Sequence, residues 1–421
     1  MLIEFRVENH RSIRDEQALS LKAGRFGASD DPIPRKTPGC SDKLLPVTAL
    51  YGANASGKSN VIAALTFMRD AVSDSQRLWS PDEGIRRDPF AWGPKRNEPS
   101  LYEVDFICNG VRYFYGFRLD DRAILEEWLF AWPNGKKQTW FERDGESFQH
   151  GKSLLGENKV IEGVTRKNAL FLSAAAQFKH QQLTPLFSWF SSIRSINVVS
   201  RWPPRFRAGS ESVVRLLMEA DNDARQLDLG TGLDGEDESS SSLLFQFVQF
   251  IKNADVGIID MRLNKNVAQA TRYKSSGLEL KHQFEAEAWL PLEEESRGTR
   301  TLFQLALPIL RTIQRGGILV VDELEASMHP NLAEHIIRQF NDPQTNPRNA
   351  QLIFSTHDTN LLGTLSGSPA LRRDEVWLTE KDEQGATVLY PLTDFKPRND
   401  ENIERGYVQG RYGAIPHLCR I

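Results

Sequence analysis

Residues 52–59 read Gly-Ala-Asn-Ala-Ser-Gly-Lys-Ser, a spacing that can hold a nucleoside triphosphate. Gly52 and Gly57 permit a turn tight enough to aim backbone N–H groups at phosphate oxygens, and a following helix presents its positive N-terminal end to the same oxygens. Asn54, Ala55 and Ser56 form the body of the loop, Lys58 can reach the β- and γ-phosphates, Ser59 offers a hydroxyl to Mg²⁺, and Asn60 opens the helix. A second group of residues can complete the chemistry. Asp322 and Glu323 end the apolar run Ile318-Leu319-Val320-Val321, where Asp322 can hold Mg²⁺ and Glu323 can orient or deprotonate a water. Alone, that pair also reads as a core strand followed by solvated acids; with the phosphate loop present it reads as a Walker B element. His357 ends another apolar run, Leu352-Ile353-Phe354, and at the carboxyl end of a core strand it can touch a γ-phosphate. Ser296 and Gly298 open a helix, which makes an anion site or an ordinary cap.

These side chains need a parallel sheet whose carboxyl edge gathers them. The run Leu45–Tyr51 before the loop and the pattern Val61–Leu65 after it supply strand, loop and helix in order. The helix is expected over about 58–75, and others over about 298–314 and 331–340. Strands are expected at 3–7, 17–21, 351–355, 375–379 and 386–391. Runs at 101–108, 111–119, 124–132 and 138–142, parted by Asn109-Gly110, Asp120-Asp121 and Asn134-Gly135, predict an antiparallel meander. From 166 to 255 the spacing turns helical, and the core is expected to resume near 256. The acidic, serine-rich segment 234–242 inside that stretch reads as a surface loop rather than a regulatory element. Three parts follow: 1–165, with the phosphate loop and meander; 166–255, a helical insertion; and 256–421, with Walker B and the histidine.

Composition limits the classes further. The chain has 421 residues, net charge −4 from 52 basic and 56 acidic side chains, and 40% hydrophobic residues, values of an ordinary globular protein. No global basic excess points to nucleic acid. Three scattered cysteines fit neither a disulfide framework nor a zinc site, which points to a reducing compartment. No signal-peptide pattern and no long apolar run occurs, so a cytoplasmic protein without a membrane span is expected.

The order of phosphate loop, Ser-x-Gly helix start, acidic strand end and histidine resembles the ABC-type ATPase heads, within them the SMC/RecF/OLD-like group. Asn54, Lys58-Ser59-Asn60 and Asn9-His10-Arg11-Ser12-Ile13 carry that resemblance, the last where the group has Asn-Phe-Arg-Ser. The resemblance implies an α/β fold: a P-loop ABC-type ATPase head with a mixed sheet, an antiparallel β-meander lobe and a largely helical insertion. It implies ATP and Mg²⁺ as cofactors and a head-to-tail homodimer, or a higher even oligomer. In that pair Ser296 and Gly298 would be the trans signature, Ser327 the D-loop, His357 the switch histidine, and Arg11 a residue near the nucleotide. The stretch Glu295-Ser296-Arg297-Gly298-Thr299 departs from the transporter signature Leu-Ser-Gly-Gly-Gln, which with the long insertions speaks against a transporter subunit. A closer resemblance spans nearly the whole chain. Asn168–Ser173, Ala254–Ile258, Leu371–Glu375 and Tyr407–Pro416 are similar to a bacterial family of AAA15-type ATPases that includes RloA-like and AbiL-like abortive-infection proteins. It implies antiviral defence beside a separately encoded effector, a nuclease or toxin. A RecF- or SMC-like ATPase acting directly on DNA in repair or maintenance stands as the alternative. The stretch Arg201, Trp202, Arg205, Phe206 and Arg207 can follow a phosphate backbone or form a solvated loop. An OLD-type nuclease domain does not fit the roughly 60 residues after His357.

Overall fold

A computed structural model of the chain describes residues 1–24, 31–198, 238–254, 257–264, 277–283, 289–326, 328–363, 368–398 and 401–416. The stretch at 201–207, Ser327 and Cys419 therefore lie outside the described residues. The chain divides into two compact units: Met1–Trp202 with Gly316–Leu324 and Ile336–Ile421, and Pro203–Arg315 with Glu325–His335.

The first unit holds two sheets. One is antiparallel and seven-stranded, in the order β2-β1-β4-β5-β6-β7-β8. Its strands are β1 (Leu2–Glu8), β2 (Gln17–Ser20), β4 (Ser100–Cys108), β5 (Val111–Leu119), β6 (Ile124–Trp132), β7 (Gln138–Asp144) and β8 (Ser147–His150). The expected meander is present, extended by β8 and joined to the N-terminal strands. Asn109 and Gly110 take φ of 49° and 76°, so both central residues of the β4–β5 turn are left-handed. The other sheet is six-stranded, in the order β16-β15-β3-β14-β13-β9. Here β3 (Val47–Gly52), β9 (Ile193–Ile196), β13 (Ile318–Val321), β14 (Gln351–Ser355) and β15 (Val376–Lys381) run parallel, while β16 (Thr387–Pro391) is antiparallel to β15. The three central strands β3, β14 and β13 are buried at every residue, which explains why apolar residues fill most of their positions.

Helix α1 (Lys58–Asp74) contacts β1 of one sheet and β3, β9 and β14 of the other. It is buried on nearly all its faces, and its buried charges Arg69 and Asp70 pair with each other at 2.7 Å. Helices α2 (Asn158–Val164), α3 (Phe171–Gln177) and α4 (Thr184–Ser191) follow the meander, and α3 and α4 pack on α1. Glu127 of β6, fully buried, accepts the N–H groups of Phe171 at 2.7 Å and Leu172 at 3.1 Å, and the Tyr115 hydroxyl at 2.9 Å. Arg143 lies 3.8 Å from it and donates to the carbonyl of Ala169 at 2.7 Å. The block Asn168–Ser173 is therefore where the antiparallel sheet is tied to the helices, a structural role.

The second unit contains α5 (Glu238–Ala254), a three-stranded sheet of β10 (Ile258–Leu263), β11 (Leu278–His282) and β12 (Trp289–Pro291), and α6 (Arg297–Arg315). Phe247 of α5 and Phe303 of α6 meet edge to face at 5.2 Å. Helix α7 (Pro330–Asn341) is divided between the two units, and α8 (Ile403–Val408) belongs to the first. Three differences from the sequence expectations stand out. Ile193–Ile196, inside the stretch read as helical, is a strand beside β13. The strands after 256 form their own sheet, and the core sheet takes its next strand only at Ile318. Of the segment 234–242, read as a surface loop, residues 238–242 form the first turn of α5 and 234–237 lie outside the described residues. No helix among the described residues is long and apolar enough to cross a membrane.

One buried carboxyl gives the first unit a pH dependence. Glu375 is fully buried, and burial raises its pKa from 4.5 to about 8, helped by Asp374 and opposed by the Arg372 N–H at 2.7 Å. Between those values the folded chain holds a proton that the unfolded chain has lost. This stability is complete below about pH 4.5 and is lost as pH rises toward 8. Urea titrations at pH 5.5, 7 and 8.5 should show Glu375→Gln losing less stability across that range than the wild type; parallel pH trends in both chains would contradict this.

Candidate nucleotide site

The site lies at the carboxyl edge of the six-stranded sheet. Strand β3 ends at Gly52, and the chain turns through Ala55, at φ 62°, to Gly57, at φ 116°, which caps α1. Asn54 and Ala55 are exposed at the crest, whereas Ser56, Gly57 and Lys58 are buried. Gly57 is required twice over. Its φ disfavours other residues, and a Cβ would lie 2.0 Å from the Thr387 hydroxyl oxygen. Lys58 Nζ donates to the carbonyls of Gly52 at 2.8 Å and Ala53 at 3.1 Å, which keeps its charge on the inner side of the loop. Ser59 is exposed at the first turn of α1, and its Oγ donates to Asp322 Oδ1 at 3.0 Å.

Asp322 and Glu323 stand just past β13. The Asp322 N–H bonds to the carbonyl of Ile196 at 3.1 Å, continuing the pairing with β9. Ser355, at the end of β14 and fully buried, donates from Oγ to Asp322 Oδ1 at 2.5 Å. The same Oγ accepts the backbone N–H of Glu323 at 2.7 Å, and the Ser355 carbonyl accepts the N–H of Leu324 at 3.1 Å. Glu323 is left-handed, at φ 55°, with its side chain exposed. One serine thus fixes the Asp322 carboxylate through its side chain and the direction of Glu323 through its backbone. His357 is exposed two residues beyond Ser355, at the same edge. A hydroxyl and a carboxylate 3.0 Å apart, both oxygen donors, fit a hard divalent cation that keeps several waters, as Mg²⁺ does.

A network of hydroxyls from the β15–β16 hairpin holds the loop. Thr387 Oγ1 donates to the Ser56 carbonyl at 2.8 Å and lies 2.7 Å from Ser12 Oγ. Asn60 Nδ2 donates to Ser12 Oγ at 2.6 Å, and Ser56 Oγ is 2.6 Å from Thr379 Oγ1. The segment Asn9–Ile13 is therefore tied to the phosphate loop. Asn9 fastens it from behind, donating to the carbonyls of Lys95 at 2.7 Å and Glu98 at 2.8 Å. His10 is buried against Phe67 and Tyr102, with Nδ1 2.8 Å from the Tyr102 hydroxyl. Burial lowers its pKa to about 3, so it serves as a neutral aromatic. Arg11, at φ 49°, pairs with Asp88 at 3.1 Å.

Lys58, Ser59 and Asp322 are thus brought together in the first unit, with Glu323 and His357 on the same edge. Ser296 and Gly298 belong to the second unit. There Ser296 Oγ accepts the N–H of Thr299 at 3.0 Å and caps α6, beside the buried Glu295, which meets His282 at 2.7 Å. Sequence reasoning missed Ser355, Thr379 and Thr387. Ser355 did carry a signal, since a buried strand that turns polar at its last residue before a histidine has a partner to satisfy.

This is the layout of a P-loop ATPase head of the ABC-like kind, with the loop, the acidic strand end and the histidine strand side by side. The chain belongs to the family described as AAA domain, putative AbiEii toxin, Type IV TA system, whose model matches residues 47–363. No curated protein matches it in sequence. Among solved structures it is similar to the SMC head domain from Thermotoga maritima, at 15% identity and TM-score 0.41, covering 93% of this chain and 98% of that one. An SMC head bound to the C-winged helix domain of ScpA matches at 12% identity and TM-score 0.46, covering 92% and 96%. An SMC head with an extended coiled coil, bound to the C-terminal domain of ScpA derived from Pyrococcus furiosus, matches at 12% and 0.44, covering 92% and 95%. The class rests on the chain's own strand order, its loop geometry and the family match, not on these low-scoring likenesses.

Ser355→Ala should reduce ATP turnover on the order of ten- to a hundredfold and raise the Mg²⁺ concentration needed for half-maximal rate. Nucleotide affinity should change little, and Ser355→Thr should recover much of the loss. Steady-state rates across a Mg²⁺ titration test this; an alanine variant with wild-type Mg²⁺ dependence would show that the clamp is idle.

Proposed function

We propose that the chain binds and hydrolyses ATP and uses the cycle as a switch. The observation that carries the reading is the 3.0 Å contact between Ser59 of the phosphate loop and Asp322 of β13, beside the buried Lys58. Lys58 and the loop N–H groups hold the phosphates, with Gly52, Asn54, Ala55, Ser56, Gly57 and Asn60 shaping the cradle. Ser59 and Asp322 would hold Mg²⁺, which when bound supplies charge neutralisation across the β- and γ-phosphates. Glu323, exposed and held in one direction by Ser355, orients the attacking water and accepts its proton. His357 contacts the γ-phosphate, and Arg11 lies near the nucleotide.

In this reading two heads pair head to tail, and Ser296, Gly298 and Ser327 of one complete the phosphate site of the other. Hydrolysis releases the pair, and the insertion at 166–255 passes the change to a partner. The family description, with its AbiEii toxin and type IV toxin–antitoxin terms, supports a defence setting. Membership of the RloA-like and AbiL-like subgroup, a separately encoded nuclease or toxin as effector, and a cytoplasmic location are parts of the same proposal. The alternative, direct action on DNA, draws only on the basic and aromatic residues at 201–207.

Glu323→Gln should keep ATP binding, slow hydrolysis by about a hundredfold or more, and accumulate an ATP-dependent dimer. Hydrolysis at the wild-type rate would refute the role of Glu323. Lys58→Ala should abolish both hydrolysis and ATP-dependent pairing, read by light scattering. The alternative gains if the purified chain alone nicks supercoiled DNA with Mg²⁺ or Mn²⁺; intact DNA favours the switch.

A further inference from the structure

The block Tyr407–Pro416 has no phosphate-binding chemistry, yet it reaches the phosphate loop. The Tyr407 ring, on α8, packs edge to face on the fully buried ring of Tyr51, with centroids 5.6 Å apart. Tyr51 is the residue before Gly52, and its hydroxyl donates to the carbonyl of Asp358 at 2.9 Å, immediately after His357. The Tyr407 hydroxyl donates to the Ala414 carbonyl at 3.2 Å, within its own block. Helix α8 also packs on the 3-10 turn Thr359–Leu362 that follows His357.

The remainder of the block anchors that helix. Tyr412 lies flat against Gly406, where a Cβ would come within 2.6 Å of its hydroxyl, and that hydroxyl donates to Glu401 at 2.8 Å. The Tyr390 hydroxyl of β16 lies 2.9 Å from Glu380 Oε2 and 3.1 Å from the Tyr412 carbonyl, and donates its one proton between them. Gly413, at φ 67°, leaves room for Glu380 and Tyr390, each of which a Cβ there would approach to 2.7 Å. The glycines and tyrosines of the block therefore lock α8 onto the same hairpin that latches the loop.

We propose that Tyr407 is a positioning residue for the nucleotide site: through Tyr51 the C-terminal block sets the loop that carries His357 at a fixed distance from the phosphate loop. The inference rests on the reading of His357 as the γ-phosphate contact. A strut between those two loops matters for a ligand that spans them, which ATP does and ADP does not. Loss of the strut should therefore weaken the discrimination between the two nucleotides and the rate of hydrolysis more than it weakens ADP binding.

The test is calorimetric titration of the full chain with ADP and with a non-hydrolysable ATP analogue, both with Mg²⁺, alongside steady-state ATP turnover. Tyr407→Ala should lower kcat by about tenfold and narrow the ATP-analogue-to-ADP affinity ratio by a similar factor, since small misplacements of catalytic groups carry such costs. Tyr407→Phe, which keeps the ring, should restore most of both. If Tyr407→Ala does not fold, Tyr51→Phe removes only the hydroxyl held by Asp358 and should lower kcat with ADP affinity unchanged. Wild-type kcat and affinity ratio in the folded variant overturn the strut while leaving the ATPase reading intact, as does a lower melting temperature alone. Failure of the wild-type chain to bind either nucleotide removes the ATPase reading, and the strut with it.

Discussion

The bond pair at Asp322 Oδ1 is the contact on which the site depends. It accepts from Ser59, which starts α1 after β3, and from Ser355, which ends β14. Three neighbouring strands are thereby joined at their carboxyl ends through one carboxylate oxygen. The parallel sheet alone fixes strand spacing and direction; it does not fix side chains at the edge. The two hydroxyls do so, and both are charge-assisted donors, the stronger class of hydrogen bond. Because Ser355 is buried, loss of the carboxylate would leave a hydroxyl without this acceptor in a dry place, a cost of about 1–3 kcal/mol.

The loop side is fixed by different means. Thr379 and Thr387 stand on a hairpin more than 300 residues from the phosphate loop, and their hydroxyls and one methyl group shape it. The separation along the chain, 331 residues from Thr387 to Ser56, makes this latch a property of topology. The antiparallel strand β16 at the sheet's edge thus has a task beyond closing the sheet: it brings polar side chains to a glycine that tolerates nothing larger.

Much of this was legible in the amino-acid order. The glycines, Lys58 and Ser59 lie between a strand and a helix, and an apolar run ending in two acids reads the same way in any buried parallel strand. The meander was legible because Asn109-Gly110 marks a hairpin turn. What could not be read depends on contacts between distant residues. Ser355, Thr379 and Thr387 look like ordinary strand residues until their partners are known. Ile193–Ile196 is only four residues long and follows directly on an apolar helix, so local periodicity carried the helical pattern through it. Glu238–Ser242 looked like a solvated loop because composition does not reveal the helix that those residues begin.

The strand order also governs how the chain can be made. Strand β3 has β14 and β15 as its two neighbours, and both are synthesised after residue 350. At ribosomal speeds of about 5–20 residues per second, roughly 300 further residues take on the order of 15–60 s to appear. Throughout that time the emerging chain carries a mainly apolar strand with both edges unpaired, the kind of segment that joins to other chains. β9 waits in the same way for β13. The phosphate loop is therefore among the first parts of the chain to be made and among the last to be walled in, and the nascent chain needs shielding across that interval.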